Sequence, residues 1–170
     1  RITTNASSNA ALRLGRALEG VTPQLGTLVS DIAVRSQERA EAAARQAVLE
    51  DGGEASFADA VRDGRIMKTQ NPFYIDAYER ERAKVRGRRE LSTLQLESAT
   101  WPERDDPAAF QQRWAEESSK ITGKYQGAAA QNGIAPVANE VTQNVVAANV
   151  SANASRIVKE RESDIREDVA

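Results

Sequence analysis

The sequence predicts an all-α chain, with long and short helices in an extended or bundle-like arrangement that neighbouring subunits complete. Three observations carry this. Apolar residues recur three and four apart through most of the chain. An Asn, Asp or Thr directly before a proline opens a helical stretch three times, at Thr22-Pro23, Asn71-Pro72 and Asp106-Pro107. No alternating apolar run flanked by hairpin turns suggests a strand.

Taken in order, Leu12, Leu14 and Leu18 predict a short helix over about 9–19, stopped by Gly20. Thr22-Pro23 then predicts a new start, and Leu25, Leu28, Val29 and Ile32 follow at helical spacing. Beyond Val34 the stripe thins to alanines at 40, 43, 44 and 47, and Asp51-Gly52-Gly53 ends the helix. Small side chains there let another helix approach closely, and they also raise helix propensity. Ser56 caps a short helix carrying Phe57 and Val61, with Gly64 at its end. Asn71-Pro72 opens a second long helix reaching about Ser98, with Gly87 as its weak point. Trp101-Pro102 breaks the pattern, and Asp106-Pro107 starts a helix with Phe110 and Trp114 on one face.

From Gly123 to Pro136, Gly, Ala, Gln and Asn dominate, which reads as a linker or mobile loop. After it, Val141, Val145, Ala148 and Ala152, then Ile157, Val158, Ile165 and Val169, form a thin seam in a charged matrix, the form of a partner-seeking helix. The resulting division is N-terminal helices at 1–64, an aromatic-anchored region at 65–125, a linker at 126–136 and a partner helix at 137–170. Arg1 in place of Met and an end inside a charged stretch suggest a fragment of a longer chain.

Composition narrows the chemistry. The chain has no Cys and no His, which removes thiol chemistry, thiolate-zinc sites and imidazole bases. No catalytic, cofactor-binding or metal site is expected, nor a small-molecule substrate. The Glu116-Glu117 and Asp105-Asp106 pairs point apart on a helix instead of converging on a cleft. Gly123-Lys124 lacks the earlier glycine of a phosphate loop, because Ser118 stands in its place. Asn-X-Ser sequons at Asn5, Asn149 and Asn153 read as accidents of an Asn- and Ser-rich chain. No apolar run is long enough for a transmembrane segment.

Lys and Arg number 23 against 25 Asp and Glu, so the whole chain lacks the positive excess that uniform phosphate binding shows. One basic concentration stands out. Arg82, Arg86 and Arg89 share a helix face, and Arg80, Lys84 and Arg88 share its neighbour. This ridge suits two roles: non-specific contact with a nucleic-acid backbone, or pairing with acidic ridges of neighbouring subunits. The aromatics Phe73, Tyr74, Tyr78, Trp101, Phe110 and Trp114 are expected to form a single core between adjoining helices, the packing anchor of the fold.

The stretch Lys68-Thr-Gln-Asn-Pro-Phe-Tyr-Ile-Asp-Ala-Tyr-Glu-Arg80, followed by Asp106-Pro-Ala-Ala-Phe-Gln-Gln-Arg-Trp114, resembles internal virion proteins of short-tailed bacteriophages. The likeness covers residues 65–125. It implies an ejection protein, a homo-oligomer held in the virion with other virion proteins. Released at infection, such proteins reassemble in the host envelope or periplasm as a helical tube for genome delivery. The peptidoglycan-cleaving domain of some ejection proteins has no counterpart here. Two other readings stand beside this one: a scaffold or tape-measure-like adaptor with no DNA conduit role, and a helical module attached to an enzyme.

Overall fold

A computed structural model describes the backbone of residues 5–169 and the side chains of 26–165. The fold is all-α, and among the described residues there is no strand. Helix α1 spans Asn5–Asp51, α2 Phe57–Arg62, α3 Pro72–Ser98, α4 Pro107–Thr122 and α5 Ala128–Val169, with a 3-10 turn at Pro102–Asp105. None of these helices, within the described residues, is long and apolar enough to cross a membrane.

Side-chain caps set three of the starts. Ser56 Oγ accepts from the Asp59 amide at 3.2 Å and donates to the Asp59 carboxylate at 2.8 Å. Asn71 Oδ1 accepts from the Phe73 amide at 3.0 Å. Asp106 Oδ1 accepts from the Ala108 and Ala109 amides at 3.0 and 3.2 Å. A proline follows at the first position of α3 and of α4, where no backbone donor is needed. Each cap contributes about 1 kcal/mol and fixes where its helix begins.

Two expected boundaries are corrected. The first is the break at Gly20 and the restart at Thr22-Pro23, since α1 runs unbroken through both. A proline removes one hydrogen bond and adds a local clash, and a helix this long continues on either side of it. The second is the linker at 126–136, because α5 begins at Ala128 and passes through Pro136. Pro136 faces solvent, where water can solvate the carbonyl it leaves unpaired. On the opposite face Ala130, Ile134, Val137, Val141 and Val145 are buried, and that burial outweighs the proline.

Helices α3, α4 and α5 form an up-down-up bundle. Residue numbers rise together along α3 and α5, from Arg80 beside Gly133 to Arg88 beside Glu140, so these two run parallel. α4 returns between their ends, and Trp114 Nε1 donates to Thr142 Oγ1 at 2.9 Å. The α3–α5 approach depends on two glycines. A Cβ on Gly133 would lie 2.1 Å from the Arg80 carbonyl oxygen, and one on Gly87 would lie 1.9 Å from Ile134 Cδ1. Gly87, the weak point in the sequence reading, is thus where α5 seats.

The expected single aromatic core is two cores. Ala83, Leu91 and Leu94 of α3, Trp101, Phe110, Trp114, Tyr125 and the α5 valines fill the bundle. A second, smaller core holds α1 and α2 against the first half of α3, built from Ala44, Val48, Ala55, Ala60, Ala77 and Tyr78 with Phe57 and Tyr74 at its edge. Phe57 meets Tyr78 and Tyr74 edge-on at 5.8 and 6.2 Å between ring centroids. Phe73, expected among the anchors, is 48% exposed. Helical geometry explains this: Tyr74 and Tyr78 are four apart on the face toward α1 and α2, and Phe73 turns outward.

Candidate functional site

The basic ridge lies on α3 where the α1–α2 connection meets the bundle. Gly52 and Gly53 adopt φ of +74° and +73°, which turns the chain sharply after α1 and lays residues 52–54 along α3. Arg86 Nη1 donates to the Glu54 carbonyl at 2.6 Å, and its Nε donates to Glu90 at 2.9 Å. Arg89 pairs with the Glu54 carboxylate and reaches the Gly52 carbonyl at 3.5 Å. Arg82 donates to Glu79 at 3.1 Å and places its guanidinium 5.9 Å from the centre of the Tyr125 ring. The three arginines expected on one face are on one face, and that face clamps this chain's own turn.

The neighbouring face is taken up in the same way. Arg88 makes a two-pronged pair with Glu140 of α5 at 2.8 and 3.1 Å. Arg80 lies 3.6 Å from Glu41 of α1, and Lys84 lies 3.9 Å from Glu81. All six basic residues therefore have carboxylate partners within the chain. Within the chain these carboxylates come from α1 (Glu41), the turn (Glu54), α5 (Glu140) and α3 itself (Glu79, Glu81 and Glu90).

The proton equilibria follow from this packing. Burial pushes Glu90 upward, but hydrogen bonds from Arg86 and Lys124 outweigh it and hold the carboxyl below its ordinary range. The hydrogen bond from Arg88, with its charge, holds Glu140 down as well. Burial first, and the charge of Glu90 second, push Tyr125 up to about 12. The Tyr125 hydroxyl is buried without a hydrogen-bond partner of ordinary geometry. It shares a small cavity of about 180 Å³ with Arg82, Arg86, Glu90 and Lys124.

A wider groove of about 420 Å³ opens where the end of α3, the 3-10 turn and α5 meet. Its floor is Ala99, Phe110, Ala148 and Ala152. Asn149 and Asn153 each donate to the Arg104 carbonyl at 2.9 Å, and Arg156 Nη2 donates to the Asp105 carbonyl at 3.3 Å. Two of the sequon asparagines thus tie the turn to α5, and Asn153 is buried doing so. Asn5 lies outside the described side chains. Among the described residues no group of three acidic, His or Cys side chains is placed to hold a metal ion.

Beyond the packed bundle lie the surfaces with no covering. Leu28, Val29 and Ile32 on the first part of α1 are exposed, as are Val150, Ile157, Val158 and Ile165 on the last part of α5. In the sequence, Ile157, Val158 and Ile165 continue the seam of Val141 and Val145. In the folded chain they do not, because Val141 and Val145 face α3 and α4 while the later residues turn away.

Compared with known proteins, the chain matches no family, no curated sequence and no solved structure.

Proposed function

We propose that this chain is a structural assembly subunit, and that it serves as an ejection protein of a short-tailed bacteriophage, forming with copies of itself a tube or channel for genome delivery across the host envelope. One observation carries the assembly reading. At about 1.5 Å per residue, α1 and α5 are about 70 and 63 Å long against about 40 Å for α3, so both project past the bundle. The projecting parts carry exposed apolar residues, Leu28, Val29 and Ile32 on α1 and Ile157, Val158 and Ile165 on α5, alongside Leu49, Met67 and Leu96 exposed elsewhere.

The phage assignment rests on the resemblance of residues 68–80 and 106–114. Those motifs have clear physical work in the fold: Asn71 and Asp106 cap α3 and α4, Phe110 and Trp114 fill the bundle, and Tyr78 fills the second core. Virion location, companion virion proteins and reassembly in the envelope or periplasm belong to the same proposal.

A second reading, a scaffold or tape-measure-like adaptor without a conduit role, is favoured by the basic ridge. Its six cations are paired within the chain, which leaves no free row of charge for direct, non-specific DNA contact. Electron microscopy of the assembled protein separates the readings. A ring or tube with an open lumen supports the channel, a solid filament supports the adaptor, and a compact monomer overturns both.

A further inference from the structure

We infer that the small cavity between α3 and the α4–α5 connection is a binding site for a tetrahedral oxyanion of the size of phosphate or sulfate, held by Arg82, Arg86, Lys124 and the Tyr125 hydroxyl. The site is independent of the assembly reading.

Tyr125 brings a buried donor that has no acceptor. The residue is 2% exposed, and its ring crosses α3 at Gly87, where Cε2 lies 3.8 Å from the place of a Cβ. The hydroxyl thereby reaches a cavity lined by Arg82, Arg86, Glu90 and Lys124. No group among the described residues completes a hydrogen bond with it. Glu90 is close, but its oxygens already accept from Arg86 Nε at 2.9 Å and Lys124 Nζ at 3.1 Å. Buried hydroxyls are as a rule hydrogen-bonded, and a ligand rich in lone pairs meets that need.

The same cavity holds cations whose donors are only partly used. Arg82 donates through Nε to Glu79 at 3.1 Å, and among the described residues its two terminal nitrogens have no hydrogen bond. Arg86 uses Nε and Nη1, which leaves Nη2, and Lys124 makes one bond from an ammonium with three protons. Three cations and one carboxylate line the cavity, and counting Glu79 still leaves one positive charge in excess. Glu54 and Asp59, whose charges also reach these arginines, are paired with Arg89 and Arg62. An anion placed there accepts charge-assisted hydrogen bonds, the stronger kind, from three side chains.

Size selects the ligand. At about 180 Å³ the cavity is smaller than the ~300–1,000 Å³ of sites that take drug-sized molecules. It has room for about six waters at ~30 Å³ each, hence for one tetrahedral ion with a few waters. Tyr125 and the Arg82 side chain, 14% exposed, lie deep, whereas the Lys124 side chain, 59% exposed, forms an accessible rim. The ion therefore has a way in. One enclosed point is not a row of free charge, so the site adds no DNA contact to the paired ridge.

The site is tested in the full chain, labelled with carbon-13 at tyrosine Cζ. Three tyrosines give three resonances, and the one missing in Tyr125→Phe belongs to Tyr125. Sodium phosphate is titrated at constant ionic strength, balanced with sodium chloride. The Tyr125 resonance should shift while Tyr74 and Tyr78 stay in place, and calorimetry should saturate at one ion per chain. Sulfate should compete. Lys124→Gln should weaken phosphate binding about tenfold and Tyr125→Phe roughly threefold. Lys120→Gln, which removes an exposed cation one turn away that pairs with Glu117, should change it less than about twofold. A Tyr125 resonance that ignores phosphate overturns the site, as does a shift that never saturates or that chloride alone produces; water then serves the hydroxyl. Equal losses in Lys124→Gln and Lys120→Gln would reduce the effect to net charge and overturn it too.

Discussion

Ile134 of α5 occupies the space that a side chain on Gly87 of α3 would fill, its Cδ1 within 1.9 Å of where a Cβ would stand. The two residues are therefore coupled in a way that a double substitution measures. Gly87→Ala should destabilise the fold by about 1–3 kcal/mol through overpacking, despite the gain in helix propensity. Ile134→Val removes Cδ1, the atom in conflict, so Gly87→Ala in that background should cost at least about 1 kcal/mol less than in the parent. Urea denaturation of the four proteins checks this, and strictly additive costs would refute the coupling.

Trp114 is fully buried, and its indole N–H has Thr142 Oγ1 as its acceptor. Thr142→Val keeps the shape of the side chain and deletes that acceptor. The buried N–H is then unsatisfied, at a cost of about 1–3 kcal/mol. Thr142→Ser keeps the acceptor and should recover most of the loss in thermal unfolding.

All three tyrosines titrate above the ordinary phenol value of 10.0, and Tyr78 and Tyr125 are both pushed up to about 12. Burial is the main cause in each, followed by Asp51 for Tyr78 and Glu90 for Tyr125. The folded chain keeps its phenols neutral where the unfolded chain has ionised them, so the unfolded state holds fewer protons above pH 10. Stability is then complete below about pH 10 and declines as pH rises from there toward about 12. Tyrosinate absorbance should stay low until helicity is lost, and early ionisation in a fully helical chain would contradict the packing.

Two arginines on α3 should respond very differently to removal. Arg88 and Glu140 form a well-aligned pair with about half of each side chain in solvent, so Arg88→Ala should cost no more than about 1 kcal/mol. Arg86 bonds both the Glu54 carbonyl and the more sheltered Glu90, and Arg86→Ala removes both bonds and leaves Glu90 with Lys124 alone. The expected loss is about 1–3 kcal/mol. Neither substitution should change DNA retention at low salt, because both guanidinium groups already have partners. A fall in retention with either variant would restore the nucleic-acid role.

Much of this architecture was legible in the sequence because caps are local. Ser56, Asn71 and Asp106 announce their helices within three residues, and the structure places starts at all three. The same cue misled at Thr22-Pro23, where the chain is already helical. Composition misled at 126–136, since the glycine and alanine that resemble a linker are what let α5 lie close to α3 at Gly133. Arg82, Arg86 and Arg89 share one face of α3, where Glu79 and Glu90 pair locally with the first two, but the remaining partners are distant in sequence. Glu54 lies 32 and 35 positions from Arg86 and Arg89, and Glu140 lies 52 from Arg88. Periodicity along one helix has no access to such pairs, and it likewise runs the apolar residues of α5 together into one seam although they serve two faces.

The division into two cores has a mechanical consequence. The bundle core contains two tryptophans, a phenylalanine and a ladder of branched side chains, whereas α1 is held mainly by alanines, Val48 and Tyr78 together with the arginine clamp at residues 52–54. Less apolar area joins α1 to the rest, so α1 should exchange its amide protons through a separate, lower-energy opening. Pulled from its ends, the molecule would shed this arm first, parting at the glycine turn while the bundle stayed closed.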